Sequence, residues 1–230
     1  MQGKKSTDNK CMRVTRREQK IARSRANSLL VSVRRDLRQH YRMEFRIAGS
    51  GCWGTMVKDP NGDYDLDYQI ILTHNSPDFK NKENEDEWDP GIIKKNFMEA
   101  FENNAGHGEK FENSTTAITL KNDAEEGKHF SIDFVIMFWN SENGMYVIRR
   151  SKNSSKGSSE TYVWNQLRYR FGDLYKDFRT MNPDEKRKIV DAAIRKKCIE
   201  KRKPDGKPSC AILLEEIENY VRHREVHNRL

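Results

Sequence analysis

The chain has 230 residues, 35% of them hydrophobic and 34% charged, with a mean hydropathy of −0.99. That supplies one compact core and a small appendage, and nowhere do the ~18–20 consecutive apolar residues of a membrane span accumulate, so none is expected. The net charge of +8 gathers in the first forty or so residues and in Lys186–Lys207, which points to nucleotide phosphates or nucleic acid unless these are simply solvated helix faces.

Residues 1–14 are polar, basic and without periodicity, and are expected to be loose. From about Thr15 to Tyr41 apolar residues recur at three- and four-residue steps (Ile21, Leu29 or Leu30, Val33, Leu37), the mark of an amphipathic helix with arginines on its outer side. It leads into a strand, Glu44–Ala48, and then a small-residue turn at Gly49 and Ser50. Fourteen residues separate Ser50 from Asp65, the first acid of the run Asp65-Leu66-Asp67-Tyr68-Gln69-Ile70-Ile71-Leu72. The β-rich tail of that run makes it a strand. Side chains two apart on a strand share a face, so Asp65 and Asp67 point together, with Leu66 and Tyr68 on the other side. A calcium loop from Asp59 fails, because its sixth and twelfth positions are Tyr64 and Ile70 rather than glycine and glutamate.

Thr73–Pro90 reads as a long polar loop, an insertion or a flap, with Trp88 expected to cover part of the core, the alternative being to stack on a base. Gly91–Asn104 reads as a short helix stopped by Asn103–Gly106. Thr115–Leu120 and Phe130–Phe138 make a hairpin of two strands, the second almost wholly apolar with Asp133 in its middle. A lone buried aspartate is costly unless paired or bound to a metal. Three acids on two neighbouring strands can hold two Mg²⁺ or Mn²⁺ ions about 3.5–4 Å apart, the arrangement that drives in-line phosphoryl displacement. His107 and His129 have no spaced partner and read as surface residues.

Taken together, Gly49-Ser50, Asp65-Leu66-Asp67 and the later Asp133 resemble the signature of the DNA polymerase β-type nucleotidyltransferases. The added Gly54-Thr55 is most similar to the branch of the oligoadenylate synthases and the bacterial cyclic-oligonucleotide synthases (CD-NTases). The resemblance runs from about Leu29 to Ser155 and more faintly to Tyr220. It implies an α+β palm, a twisted mixed sheet with flanking helices, and a small helical C-terminal lobe. It also implies nucleoside triphosphate substrates, Asp65, Asp67 and Asp133 as metal ligands and catalytic residues, and Gly49 and Ser50 against the phosphates.

Beyond a short strand at Met145–Ile148 and a basic serine-rich stretch, 149–159, which closes over an acceptor nucleotide or is simply a loop, the remainder reads as helical. Helices are expected over Tyr162–Asp177, from Asn182-Pro183 to about Lys201, and from an N-cap at Ser209 to about His223. The division expected is therefore a nucleotidyltransferase core over 15–160 and a helical lobe over 161–230. In the resembled branch a lysine late in one such helix and a serine opening the next touch the triphosphate. Lys196 and Ser209 match, with a surface lysine and a plain cap as the alternative. The cysteines Cys11, Cys52, Cys198 and Cys210 lack zinc-ligand spacing and, with no apolar run behind Met1, are expected as reduced thiols in a cytoplasm. The reaction expected is the joining of nucleoside triphosphates into a short or cyclic oligonucleotide messenger of antiviral signalling. The alternatives are transfer to an RNA or tRNA end, favoured by the basic termini, and an inactive nucleotide- or RNA-binding module.

Overall fold

The computed structural model describes residues 12–59, 61–73, 88–122, 130–140, 144–151, 161–167, 172–200 and 209–227, with backbone only for 140, 172, 173, 175, 209, 210 and 225–227. The expected loops at 74–87, 123–129, 141–143, 152–160 and 201–208, and residues 1–11, lie outside the described residues. Two compact units divide the chain. A sheet unit comprises Arg16–Cys52 and Asp65–Arg170; a helical unit gathers Met1–Thr15, Trp53–Tyr64 and Phe171–Leu230.

Among the described residues there are seven strands: β1 (Met43–Ala48), β2 (Tyr64–Leu72), β3 (Glu109–Asn113), β4 (Ala117–Asn122), β5 (Phe130–Asn140), β6 (Gly144–Arg150) and β7 (Tyr162–Gln166). They form one mixed sheet in the order β1-β2-β5-β4-β3, with β6 paired to β5 and β7 to β6, in the α+β architecture expected. The hairpin of β4 and β5 is antiparallel and sets Thr119 opposite Asp133. Helices α1 (Arg16–Leu37) and α3 (Pro90–Asn103) cover one face of the sheet. α1 buries Ala22, Ala26, Leu29, Leu30, Val33 and Leu37 at helical spacing. From α3, Phe101 lies 4.5 Å from the ring of Phe134 on β5. Asp89 caps α3, accepting hydrogen bonds from Gly91 N and Ile92 N, and Pro90 follows where no amide hydrogen is needed.

On this covered face lie Leu66, Tyr68 and Ile70 of β2 and Ile132, Phe134 and Ile136 of β5, all buried. The alternation of β2 leaves Asp65 exposed and Asp67 half-buried on the opposite face. Trp88 packs among Phe138 and Trp164, and its carbonyl accepts from Trp164 Nε1 at 3.0 Å, so it serves the core as expected.

In the helical unit α4 (Gly172–Thr180), α5 (Pro183–Glu200) and α6 (Ser209–His227) close over Phe178, Met181, Ile189, Ala193, Ile212, Leu213 and Ile217, with Trp53 edge-on to Phe178. Asn182 caps α5: its Oδ1 accepts from Asp184 N and Glu185 N, while Glu185 Oε2 accepts from Asn182 N. This reciprocal pair is why the helix starts where the Asn-Pro-Asp-Glu run places it. Residues 12–14, at the edge of the segment expected to be loose, are tied in, with Val14 N bonded to Met56 O and Lys58 N to Met12 O.

Four expectations are corrected. Tyr162–Gln166 is strand rather than helix, because Tyr162, Val163 and Trp164 are aromatic and β-branched and pair with Arg150, Arg149 and Ile148. β3 was not expected at all; its charged residues alternate with Phe111, which meets Phe101 at 5.3 Å. The Gly49-Ser50 turn continues as a single short helix, α2 (Gly49–Trp53). Cys198 is disulfide-bonded, its partner outside the described side chains, whereas Cys52 is free and exposed; spacing along a sequence does not measure distance in the fold. No described helix is long and apolar enough to cross a membrane.

Candidate active site

The opposite face of the sheet and the turn after β1 carry five of the seven expected site residues. Asp65 and Asp67 project from β2, and Asp133 projects from β5, the next strand. Gly49 and Ser50 follow β1, whose last residue, Ala48, is the register partner of Asp67. Gly49 has φ +53, in the left-handed region, and a Cβ there would overlap Asp67 Oδ2 and come within 2.9 Å of Asp67 Cγ. Only glycine lets the backbone lie against that carboxylate. Ser50, the next residue, is buried. Gly51 is held by Arg23 of α1, whose Nη2 donates to Gly51 O at 2.8 Å. An arginine of that helix is thus committed to fixing the turn.

Two hydroxyls engage the acids. Ser131 Oγ donates to Asp65 Oδ1 at 2.5 Å, and Thr119 Oγ1 donates to Asp133 Oδ1 at 2.6 Å. Burial pushes the Asp133 carboxyl above its ordinary range; the Thr119 bond opposes this, the charge of Asp65 adds to it, and Lys121 and Lys94 oppose it. Asp65 and Asp133 are therefore close enough to feel one another. Sequence reasoning missed both hydroxyls. Ser131 was within reach, being two residues before Asp133 on one strand; Thr119 required the register of β4 against β5.

Lys196 and Ser209 belong to the helical unit. Lys196 Nζ bonds Glu215 at 2.6 Å and Glu216 at 3.0 Å, and these bonds hold its pKa up. The next residue, Lys197, is buried and donates to Thr55 O at 2.7 Å, which fixes the Gly54-Thr55 step. Ser209 opens α6, with its side chain outside the described residues.

Among the described residues no three His, Cys, Asp or Glu side chains converge as a ready-made metal cage. The donor set nonetheless suits a hard divalent cation. Mg²⁺ in nucleotide enzymes is held by one or two carboxylates together with substrate phosphates and water, so a closed protein cage is not required. Carboxylate oxygens on adjacent strands beside a glycine turn provide that chemistry.

No family model matches the sequence, and no curated protein matches it. Among solved structures, the chain has the fold of the nucleotidyltransferases of the CD-NTase branch, as the residue pattern implied. The Bradyrhizobium diazoefficiens CD-NTase CdnG in complex with GTP is similar at a TM-score of 0.50 and 15% identity, over 73% of this chain and 43% of that one. Vibrio cholerae DncV in its 3′-deoxy GTP bound form is similar at 0.61 and 11%, over 89% and 67%. The V. cholerae DncV cyclic AMP-GMP synthase in complex with the linear intermediate 5′ pppA(3′,5′)pG is similar at 0.51 and 11%, over 79% and 59%. The chain thus spans between 43% and 67% of the length of these proteins.

Proposed function

We propose that the protein is a metal-dependent nucleotidyltransferase that joins nucleoside triphosphates with release of pyrophosphate. Its product would be a short or cyclic oligonucleotide messenger made in the cytoplasm for antiviral signalling. The observation that carries this reading is the placement of Asp65, Asp67 and Asp133 on one face of two adjacent strands with the Gly49 turn laid against Asp67, on this particular fold. The nucleotide-bound state of the similar CD-NTases supports the substrate class.

In this reading Ser50 and the amides near Gly49 and Gly51 hold the β- and γ-phosphates, as glycine-rich turns do for anions. A hydroxyl oxygen bonds to the α-phosphorus, the bond to the bridging oxygen breaks, and pyrophosphate leaves with the electron pair. Asp133, on the same face, takes or orients the hydroxyl proton, a role that suits a carboxyl raised above its usual range. Asp65, Asp67 and Asp133 would hold two Mg²⁺ or Mn²⁺ ions, which when bound neutralise phosphate charge and acidify the attacking hydroxyl. Lys196 and Ser209 are candidate contacts to the triphosphate.

Transfer to an RNA end is the second reading, favoured by the exposed basic residues Arg16, Arg17, Lys20 and Arg35 of α1. The test is incubation with each α-³²P-labelled triphosphate and Mg²⁺ or Mn²⁺, with and without total RNA, beside an Asp65→Asn/Asp67→Asn control. A phosphatase-resistant small product without RNA supports the messenger reading, and label on RNA alone supports the second. Nucleotide binding without incorporation in any condition overturns both in favour of a binding module.

A further inference from the structure

The two hydroxyls at the site have no part in the reaction outlined above. Each crosses a strand boundary. Ser131 reaches from β5 to Asp65 on β2, and Thr119 reaches from β4 to Asp133 on β5. Both residues are buried, Thr119 at 8% and Ser131 at 9% exposure. Thr119 is the direct antiparallel partner of Asp133, so its side chain rises on the same face. The result is a row across three strands in which carboxylate and hydroxyl alternate: Asp65, Ser131, Asp133, Thr119.

The geometry has a specific physical effect. A hydroxyl has one proton to give, and here it goes to one named oxygen of each carboxylate. The terminal torsion of an aspartate is otherwise broad and roughly two-fold. A short bond to an ionised oxygen belongs to the stronger class of hydrogen bond, and it holds the plane of the carboxylate in one orientation. Two like charges on adjacent strands gain by turning away from one another; the hydroxyls oppose that turn.

We propose that Ser131 and Thr119 are positioning residues that preset Asp65 and Asp133 for divalent-cation binding and thereby set the metal affinity of the site; this rests on the metal-dependent reading given above. The cost of ordering the two carboxylates is met on folding rather than on binding, and the cation then meets ligands already in place.

The test titrates Mn²⁺ into the full chain without nucleotide and follows the electron paramagnetic resonance of the free ion. The variants are Ser131→Ala, Thr119→Val and their combination, together with Ser131→Thr and Thr119→Ser, which keep a hydroxyl. Thermal midpoints without metal are measured alongside. Each hydroxyl-removing variant should bind Mn²⁺ at least about 10-fold more weakly, within the 10–100-fold cost typical of losing a group that orients a metal ligand. The hydroxyl-keeping pair should bind nearly as wild type. Wild-type affinity in the hydroxyl-removing variants, with only the thermal midpoint lowered, overturns the inference and leaves a structural role. A wild-type chain with no saturable Mn²⁺ binding, either alone or in the presence of a nonhydrolysable nucleoside triphosphate, overturns the metal reading and this inference with it. Should the double variant not fold, Thr119→Val decides alone, since valine keeps the shape of threonine and suits a strand.

Discussion

At the scale of single residues the site depends on an absent side chain. Gly49 combines a left-handed backbone with a carboxylate against its α-carbon. Gly49→Ala incurs the left-handed penalty, roughly 1–2 kcal/mol, and also displaces Asp67. In a chain of this size the backbone term alone lowers the thermal midpoint by about 2–8 °C, measurable by circular dichroism, and nucleotide incorporation should fall to background. Asp133 gives the opposite balance of stability and activity. Its carboxyl is raised by burial first and by Asp65 after, so the folded chain holds a proton in a pH window where the unfolded chain has lost it. The ionised group thus costs stability above the raised pKa, and the cost fades as pH falls toward the unfolded value. Asp133→Asn, without metal, should melt higher than wild type at neutral pH and converge with it in acid, while losing incorporation. A neutral-pH midpoint at or below that of wild type contradicts this account.

At the scale of elements, α1 is fastened to the far edge of the sheet by one charged pair. Arg25 Nε bonds Glu109 Oε1 at 2.6 Å, Glu109 Oε2 also accepts Gly106 N at 2.7 Å, and Arg25 Nη2 donates to Asn104 O at 3.1 Å. Helix α1, the end of α3 and β3 are thus joined at one point. Burial would raise Glu109, but the bonds from Arg25 and Gly106 and the charge of Arg25 bring it below its ordinary value. A lowered carboxyl contributes stability above the unfolded pKa and loses it as pH falls through the folded one. Glu109→Gln should therefore cost about 1.5–3 kcal/mol at neutral pH, as expected for a hydrogen bond to a charged group. Denaturant curves should show that difference vanish in strong acid. Legibility in the sequence follows the same local logic. α1, α3 and α5 were readable because periodicity and caps lie within a few residues of one another, and β2 and β5 because each carries a continuous run of apolar, β-forming residues. The strand at Tyr162–Gln166 was lost because a five-residue segment with only three apolar residues has no period of its own and takes its state from β6. The three aspartates were legible as types and spacings. What holds them, Thr119 above all, depends on pairings distant in sequence.

At the scale of the whole molecule, the helical unit is discontinuous: Trp53–Tyr64 lies between parts of the sheet unit in sequence and packs with α4–α6. A chain ending at residue 171 would leave Trp53 without Phe178 and the residues around it. Such a truncation should bind a hydrophobic dye and show red-shifted tryptophan emission relative to the full chain, while a dye-silent product would show that the segment does not need those helices. The threading also gives the protein a timetable on the ribosome. After Tyr64 has emerged, about a hundred residues (Asp65–Arg170) are translated before the first of the three helices, an interval on the order of ten seconds at 5–20 residues per second. For that time the segment that leaves the glycine turn, Trp53 included, has no lobe to join. A messenger RNA broken in that interval yields the sheet strands together with a Trp53 segment that lacks the helices it packs against.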